Sequence, residues 1–331
     1  MKTINLAVVG VTGMVGRTFL KVLEERKLPI DNFYVFASKR SAGSTITFEG
    51  KDYTVLELTE TSFSEHQIDI ALFSAGGATS LKFAPIAAAS GCIVIDNSST
   101  WRMDPEVPLV VPEVNPQDIL THKGIIANPN CSTIQAVVAL SPLHKAYSIN
   151  RVVYTTFQAV SGAGRGGCVD LSDGLAGKEP TKFPHPIAGN CLPHIDVFLD
   201  NGYTKEEMKM VQETRKILHA PQLKITATAV RVPVFNSHSE SINVEFNNPF
   251  ELEELVEVLK QAPGVIVQDD TANNIYPLAL NANDNDEVFV GRIRRDESSD
   301  NGINMWVVAD NIRKGAATNA VQIAQWIIAN A

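Results

Sequence analysis

Ile4-Asn5-Leu6-Ala7-Val8-Val9 runs directly into Gly10-Val11-Thr12-Gly13-Met14-Val15-Gly16, and the apolar residues that follow recur at helical spacing through Val15, Phe19, Val22 and Leu23. A buried strand, a glycine turn and an amphipathic helix over Met14–Arg26 form the first half of a βαβ unit, which commits the chain to a parallel sheet covered by helices. Glycines permit the tight turn and let the backbone approach a pyrophosphate, whose charge the helix N-terminus stabilises. The Gly10–Gly16 turn is therefore a candidate dinucleotide site.

The alternation continues through about 130 residues. Asn32–Ala37 reads as a second strand, Ile68–Ser74 and Cys92–Asp96 as further apolar strands, and Thr79–Ala89 as a helix between them. This order predicts an N-terminal Rossmann-type, doubly wound α/β domain. An NAD site would carry Asp or Glu after the second strand; here the chain reads Ala37-Ser38-Lys39-Arg40-Ser41-Ala42-Gly43. A guanidinium and two hydroxyls suit a 2′-phosphate, so Ser38, Arg40 and Ser41 favour NADP. Ser74-Ala75-Gly76-Gly77 offers another small-residue turn for the cofactor.

After Leu140 the texture changes. Arg151–Ala159, Lys224–Pro233 and Ser241–Asn247 alternate as half-exposed strands, and Lys205–Leu218 and Pro249–Gln261 look helical, which predicts an α+β second domain on a largely antiparallel or mixed sheet. Thr204 and Glu207 have capping-box spacing. Gly162–Gly167 and Thr181–Asn190 read as loops. Ala317–Asn330 is an amphipathic helix expected to return to the first domain. The expected boundaries are 1–130 with 312–331, and 131–311.

The chain has 331 residues, 44% hydrophobic and 20% charged, with a formal charge of −9. Those values fit an ordinary globular protein and argue against an extended nucleic-acid or anionic-membrane surface. No apolar stretch approaches the ~18 residues of a spanning helix and no charged n-region precedes the first strand, so a cytoplasmic protein is expected. The four cysteines, Cys92, Cys131, Cys168 and Cys191, form no C-x-x-C pair, which speaks against a disulfide framework. Cys191 and His194 lack further ligands, so no metal site is expected.

Cys131 lies in Asn128-Pro129-Asn130-Cys131-Ser132-Thr133, just before the apolar stripe Ile134, Val137 and Val138. Ser132 and Gln135 have capping-box spacing, which places the thiol at a helix N-terminus, where the dipole stabilises a thiolate and an oxyanion on its substrate. Taken alone the motif also fits a small buried hydrophobe. A thiol nucleophile with a nicotinamide cofactor implies hemithioacetal and thioester chemistry, which needs an acid/base, oxyanion donors and charges for the substrate ends. Gln158, the pair Glu206 and Lys209, Arg231 and His238 are the candidates, although each alone also fits a strand residue, a surface ion pair or a solvated histidine.

Gly10–Gly16, Ala37–Gly43, Val111-Pro112-Glu113-Val114-Asn115, Asn128–Gln135, Gln158–Gly164, Glu206–Lys209, Arg231-Val232-Pro233-Val234 and His238 occur in the order and approximate spacing of one family. The whole chain resembles the aspartate-β-semialdehyde dehydrogenases, of the kind found in Gram-positive bacteria. The resemblance implies a glyceraldehyde-3-phosphate dehydrogenase-like fold, with an α+β catalytic and dimerisation domain. It also implies a reversible NADPH-dependent reduction of L-aspartyl-4-phosphate to L-aspartate 4-semialdehyde and phosphate, towards lysine, methionine, threonine and diaminopimelate. By that likeness Cys131 is the nucleophile, His238 the acid/base and Gln158 the orienting group. Arg231 would bind the substrate carboxylate, Glu206 its ammonium, and Arg102, Asn130 and Lys209 the phosphate. Within the glycine turn Gly10, Thr12, Gly13, Met14 and Val15 would contact NADP, and Ser161, Gly162 and Asn311 would join them. A homodimer or homotetramer is implied, with no nucleic-acid or membrane partner. The 176–192 loop and the end after Trp326 match the family pattern less well. N-acetyl-γ-glutamyl-phosphate reductase, which shares fold and thiol chemistry, is the nearest alternative, and a catalytically inactive dinucleotide-sensing regulator is a third.

Overall fold

The computed structural model describes residues 3–330. The chain divides into two compact units, 1–130 with 316–331, and 131–315. In the first, β1 (Ile4–Val9), α1 (Met14–Arg26) and β2 (Ile30–Ala37) form the opening βαβ unit. A hairpin, β3 (Thr45–Phe48) and β4 (Lys51–Thr54), then precedes β5 (Leu56–Glu57), α2 (Ser62–Glu65), β6 (Ile70–Phe73), α3 (Gly77–Ala89), β7 (Ile93–Asp96) and β8 (Ile125–Ala127). The six-stranded sheet has the order β5-β2-β1-β6-β7-β8, and its pairings are parallel. Leu6, Val8, Ile70, Leu72 and Ile95 are buried in it, as near-continuous apolar strands covered on both faces must be.

Strand order reverses at β1, so the carboxyl ends of β1 and β6 frame the crevice where doubly wound sheets bind ligands. Gly10 sits there with φ +86°, and a Cβ on it would lie 2.3 Å from the Ser74 carbonyl oxygen. Gly16 is equally constrained, because a Cβ would meet the Gly10 carbonyl oxygen at 2.3 Å. Only glycine fits either position.

The second unit opens with α4 (Cys131–Tyr147) and β9 (Ile149–Gln158), followed by α5 (Arg165–Leu175), α6 (Lys205–Ile217), β10 (Lys224–Arg231) and β11 (His238–Phe246). It continues through α7 (Leu252–Lys260), β12 (Val265–Val267), α8 (Ala279–Ala282), β13 (Val288–Arg295) and β14 (Gly302–Ala309). Its sheet, β10-β9-β11-β14-β13-β12, is mixed: β9 runs parallel to β10 and antiparallel to β11. The chain then re-enters the first unit through α9 (Thr318–Asn330), whose Val321, Ile323 and Ala324 lie in the same core as Phe19 and Leu23 of α1.

Two local expectations change and a third holds. Helix α4 begins at Cys131, so Ser132 lies inside the first turn and does not cap it. Gln135 instead donates to the carbonyls of His238 at 3.3 Å and Val307 at 3.5 Å, which ties α4 to the sheet. The glycine-rich 162–167 stretch is only partly a loop, because α5 starts at Arg165 once Gly164 turns the chain at φ +77°. The Thr204–Glu207 capping box is present in both directions.

Candidate active site

The carboxyl ends of β9 and β10 and the start of β11 meet at one edge of the second sheet. Gln158 and Arg231 are register partners there, and His238 opens the neighbouring antiparallel strand. Cys131, the first residue of α4, places its Sγ 3.2 Å from His238 Nε2. Gly315 makes room for the thiol: a Cβ there would lie 2.9 Å from that of Cys131. The Ala159 amide donates to His238 Nδ1 at 3.0 Å. An amide can only donate, so the neutral imidazole carries its proton on Nε2, facing the sulfur. Burial and the Arg231 charge push the His238 pKa down from 6.5 to about 3, and the ring is neutral at ordinary pH.

A polar chain lies within electrostatic reach of His238. Gln158 Nε2 donates to Glu206 Oε1 at 3.2 Å, and Lys209 Nζ donates to Glu206 Oε2 at 2.9 Å and to Asp196 Oδ2 at 2.8 Å. Burial works against the charge on Lys209, but the attraction of Glu206 and Asp196 outweighs it and holds the pKa above its ordinary value. Arg231 is 5% exposed; its Nη1 donates to the Ala159 carbonyl at 2.8 Å, while Nε has no hydrogen-bond partner among the described residues. Gly162 is needed on that side, since a Cβ would sit 2.7 Å from Arg231 Nη1 and 3.2 Å from His238 Cε1. Ser161 and Asn311 are bonded to each other, and Asn311 Oδ1 also accepts from the Ser237 amide at 2.9 Å.

In the first unit, Arg102 is buried and donates to the carbonyls of Asn128 at 2.9 Å and Asn97 at 3.0 Å. Asn130 is buried at the end of the same unit. The glycine turn fits a dinucleotide pyrophosphate: α1 has no acidic residue in its first turn and no side-chain cap at Gly13, which leaves the amides around Thr12, Met14 and Val15 to an anion. Ser38 and Arg40 are exposed beyond the carboxyl end of β2, beside a half-exposed Ser41, in a turn closed by the Ser41 amide on the Ser38 carbonyl at 2.8 Å. Arg40 has no carboxylate partner among the described residues, so its guanidinium can take a phosphate.

Asp196, Gly315 and Glu240 belong to none of the sequence motifs above. Glu240 is fully buried two residues along β11 from His238, and burial holds its carboxyl well above the ordinary range. Its period-2 spacing from His238 was the available signal. Cys92 is buried and its thiol is pushed up to about 12, chiefly by burial, which leaves it unreactive. Among the described residues no group of three or more His, Cys, Asp or Glu could hold a metal ion, and no helix is long and apolar enough to cross a membrane.

Comparison with known proteins fits this arrangement. Residues 5–122 match the family described as semialdehyde dehydrogenase, NAD binding domain, and residues 140–314 match semialdehyde dehydrogenase, dimerisation domain. The chain is 60% identical to an aspartate-semialdehyde dehydrogenase of Aquifex aeolicus, with 98% of each chain covered. It is 49% identical to the one from Bacillus subtilis, over 97% of this chain and 96% of the relative. Among solved structures, aspartate semialdehyde dehydrogenase II of Vibrio cholerae complexed with ASA superposes with a TM-score of 0.95 at 49% identity, covering 99% of both chains. The Candida albicans enzyme with NADP gives a TM-score of 0.78 at 25% identity, covering 98% of both. Fold, thiol–imidazole pair and full-length likeness agree, and the chain belongs to the aspartate-semialdehyde dehydrogenase family.

Proposed function

We propose that this chain reduces L-aspartyl-4-phosphate to L-aspartate 4-semialdehyde and phosphate, reversibly, through a thioester on Cys131. The 3.2 Å contact between Cys131 Sγ and His238 Nε2 carries the reading. The Cys131 thiolate attacks the acyl carbon, a carbon–sulfur bond forms, and phosphate leaves with the electrons of the broken carbon–oxygen bond. NADPH, when bound, supplies the hydride that reduces the thioester. The oxygen so made anionic is held by the His238 Nε2 proton, and its collapse expels the thiolate, which the same proton stabilises. His238 thus serves the acid/base position as a fixed donor. Gln158 orients the acyl group, Arg231 takes the α-carboxylate and Glu206 the ammonium.

Glu206 also decides against N-acetyl-γ-glutamyl-phosphate, because an acylated nitrogen carries no charge for a buried carboxylate to bind. The deciding measurement is phosphate- or arsenate-dependent NADP reduction with aspartate semialdehyde and N-acetylglutamate semialdehyde offered side by side. Turnover confined to the first supports the reading, and turnover confined to the second overturns it.

For NADP, Gly10, Thr12, Gly13, Met14, Val15, Ser38, Arg40, Ser41, Ser161, Gly162 and Asn311 are the proposed contacts. Arg40→Ala should weaken NADP binding about tenfold or more and leave NAD nearly unchanged, since only NADP carries the 2′-phosphate. Equal losses in titrations with both cofactors would show that Arg40 does not discriminate.

Arg102, Asn130 and Lys209 are the proposed phosphate ligands. Lys209→Leu should raise the phosphate KM in the oxidative direction while a pre-steady-state burst of NADPH survives, because phosphate acts only after the thioester has formed. An unchanged phosphate KM, or a burst destroyed as thoroughly as by loss of Cys131, would reduce Lys209 to its pairing with Glu206 and Asp196. A homodimer or homotetramer is supported by the dimerisation-domain match, and a cytoplasmic location by the biosynthetic reading. Assignment to the Gram-positive type draws support from the Bacillus relative, although the Aquifex relative is more similar.

A further inference from the structure

Between α5 and α6 the chain runs 29 residues without a helix or strand, from Ala176 to Thr204. A connection of that length is uncommon in a compact fold unless it has work to do. Its first half is pinned firmly. Asp170 of α5, buried, accepts four hydrogen bonds: Oδ1 from the Thr181 amide and hydroxyl, both at 2.9 Å, and Oδ2 from the amides of Lys182 at 2.7 Å and Phe183 at 2.8 Å. Although its enclosure opposes ionisation, the amides of Phe183, Thr181 and Lys182 outweigh it and bring the carboxyl down to about 2, so these bonds stay charge-assisted at working pH. Farther on, Ile187 and Leu192 pack with Val160 and Leu171, and Leu192 exchanges backbone hydrogen bonds of 2.9 and 2.8 Å with Arg231.

The segment therefore wraps Arg231 from two sides. Its backbone holds the Arg231 backbone at Leu192, and the half-buried Phe183 ring lies 5.9 Å from the guanidinium carbon. With Nη1 committed to the Ala159 carbonyl, the edge containing the unpartnered Nε remains for a carboxylate, and a planar fork is selective only if its plane is fixed.

We propose that Asp170 and Phe183 are positioning residues for α-carboxylate recognition: Asp170 fastens the 181–183 segment, and the Phe183 ring then holds the Arg231 fork in one plane and keeps water from its face. This rests on the substrate reading given above. At 5.9 Å the cation–π attraction is near its outer reach, so loss of the fastening should cost more than loss of the ring.

The test compares wild type, Asp170→Ala, Phe183→Leu and Phe183→Tyr on L-aspartate 4-semialdehyde and on 3-aminopropanal, which lacks the carboxylate. Asp170→Ala should raise KM for the semialdehyde about tenfold and Phe183→Leu about threefold, with kcat within about twofold. Phe183→Tyr, which keeps the ring, should recover most of the loss. The kcat/KM for 3-aminopropanal should stay level, since it makes no use of the fork. Equal losses on both substrates, or an unchanged semialdehyde KM in Phe183→Leu, would overturn the proposal. Phe183→Leu decides the matter alone if Asp170→Ala does not fold. No semialdehyde turnover by wild type would instead overturn the substrate reading, and this proposal with it.

Discussion

Cys131→Ala should abolish turnover in both directions while NADP binding and thermal stability stay near wild type. Without sulfur no thioester forms, and no other thiol can substitute. Cys92 is held near a pKa of 12 by burial, Cys168 belongs to α5, and Cys191 belongs to the connection between α5 and α6. The helix itself does not need the sulfur, because alanine is the better helix former and the bonds of Gln135 to β11 and β14 are untouched. Cys131→Ser should retain a trace at most, since a hydroxyl at neutral pH is far less ionised than a thiol. Measurable steady-state turnover in Cys131→Ala, or failure to trap a covalent acyl-enzyme by mass spectrometry in wild type, would remove the covalent mechanism.

His238→Asn should lower single-turnover hydride transfer by about 10²–10⁴-fold, the range for loss of a positioned acid/base or oxyanion donor. It should also change the acid limb of stability. The folded histidine stays neutral down to about pH 3, whereas an unfolded one takes up a proton near 6.5. Between those values the unfolded chain binds more protons, so this residue makes the protein less stable as pH falls from about 6.5 towards 3. In His238→Asn that contribution is gone, and denaturant titrations from pH 7 to pH 4 should show a shallower loss than wild type. A parallel loss in both proteins would mean that His238 is not buried neutral, and unchanged hydride transfer would remove it from the chemistry.

Much of the first unit was legible because its signals are local. Met14–Arg26 is helical to the residue, since the glycine turn before it and the apolar stripe within it are adjacent in sequence. The second unit was harder. β13 and β14 carry no local signature because sheet pairing is a long-range property, and the alternation of Val288–Arg295 means little until β14 lies beside it. Ser132 and Gln135 had the spacing of a cap, yet two carbonyls on distant strands claimed the Gln135 amide, which local pattern could not foresee.

The parallel sheet, the glycine cradle, the missing carboxylate after β2 and the thiol at a helix start are all local features, because each is set by residues within a few positions of one another. The state of those groups depends on the packed molecule. Packing placed Ala159 to fix the His238 proton on Nε2, divided Glu206 between Gln158 and Lys209, buried Glu240 where desolvation raises its pKa and folded the 176–192 segment around Arg231. Protonation and orientation depend on desolvation and on partners tens of residues away. Those terms come into being only when the chain closes.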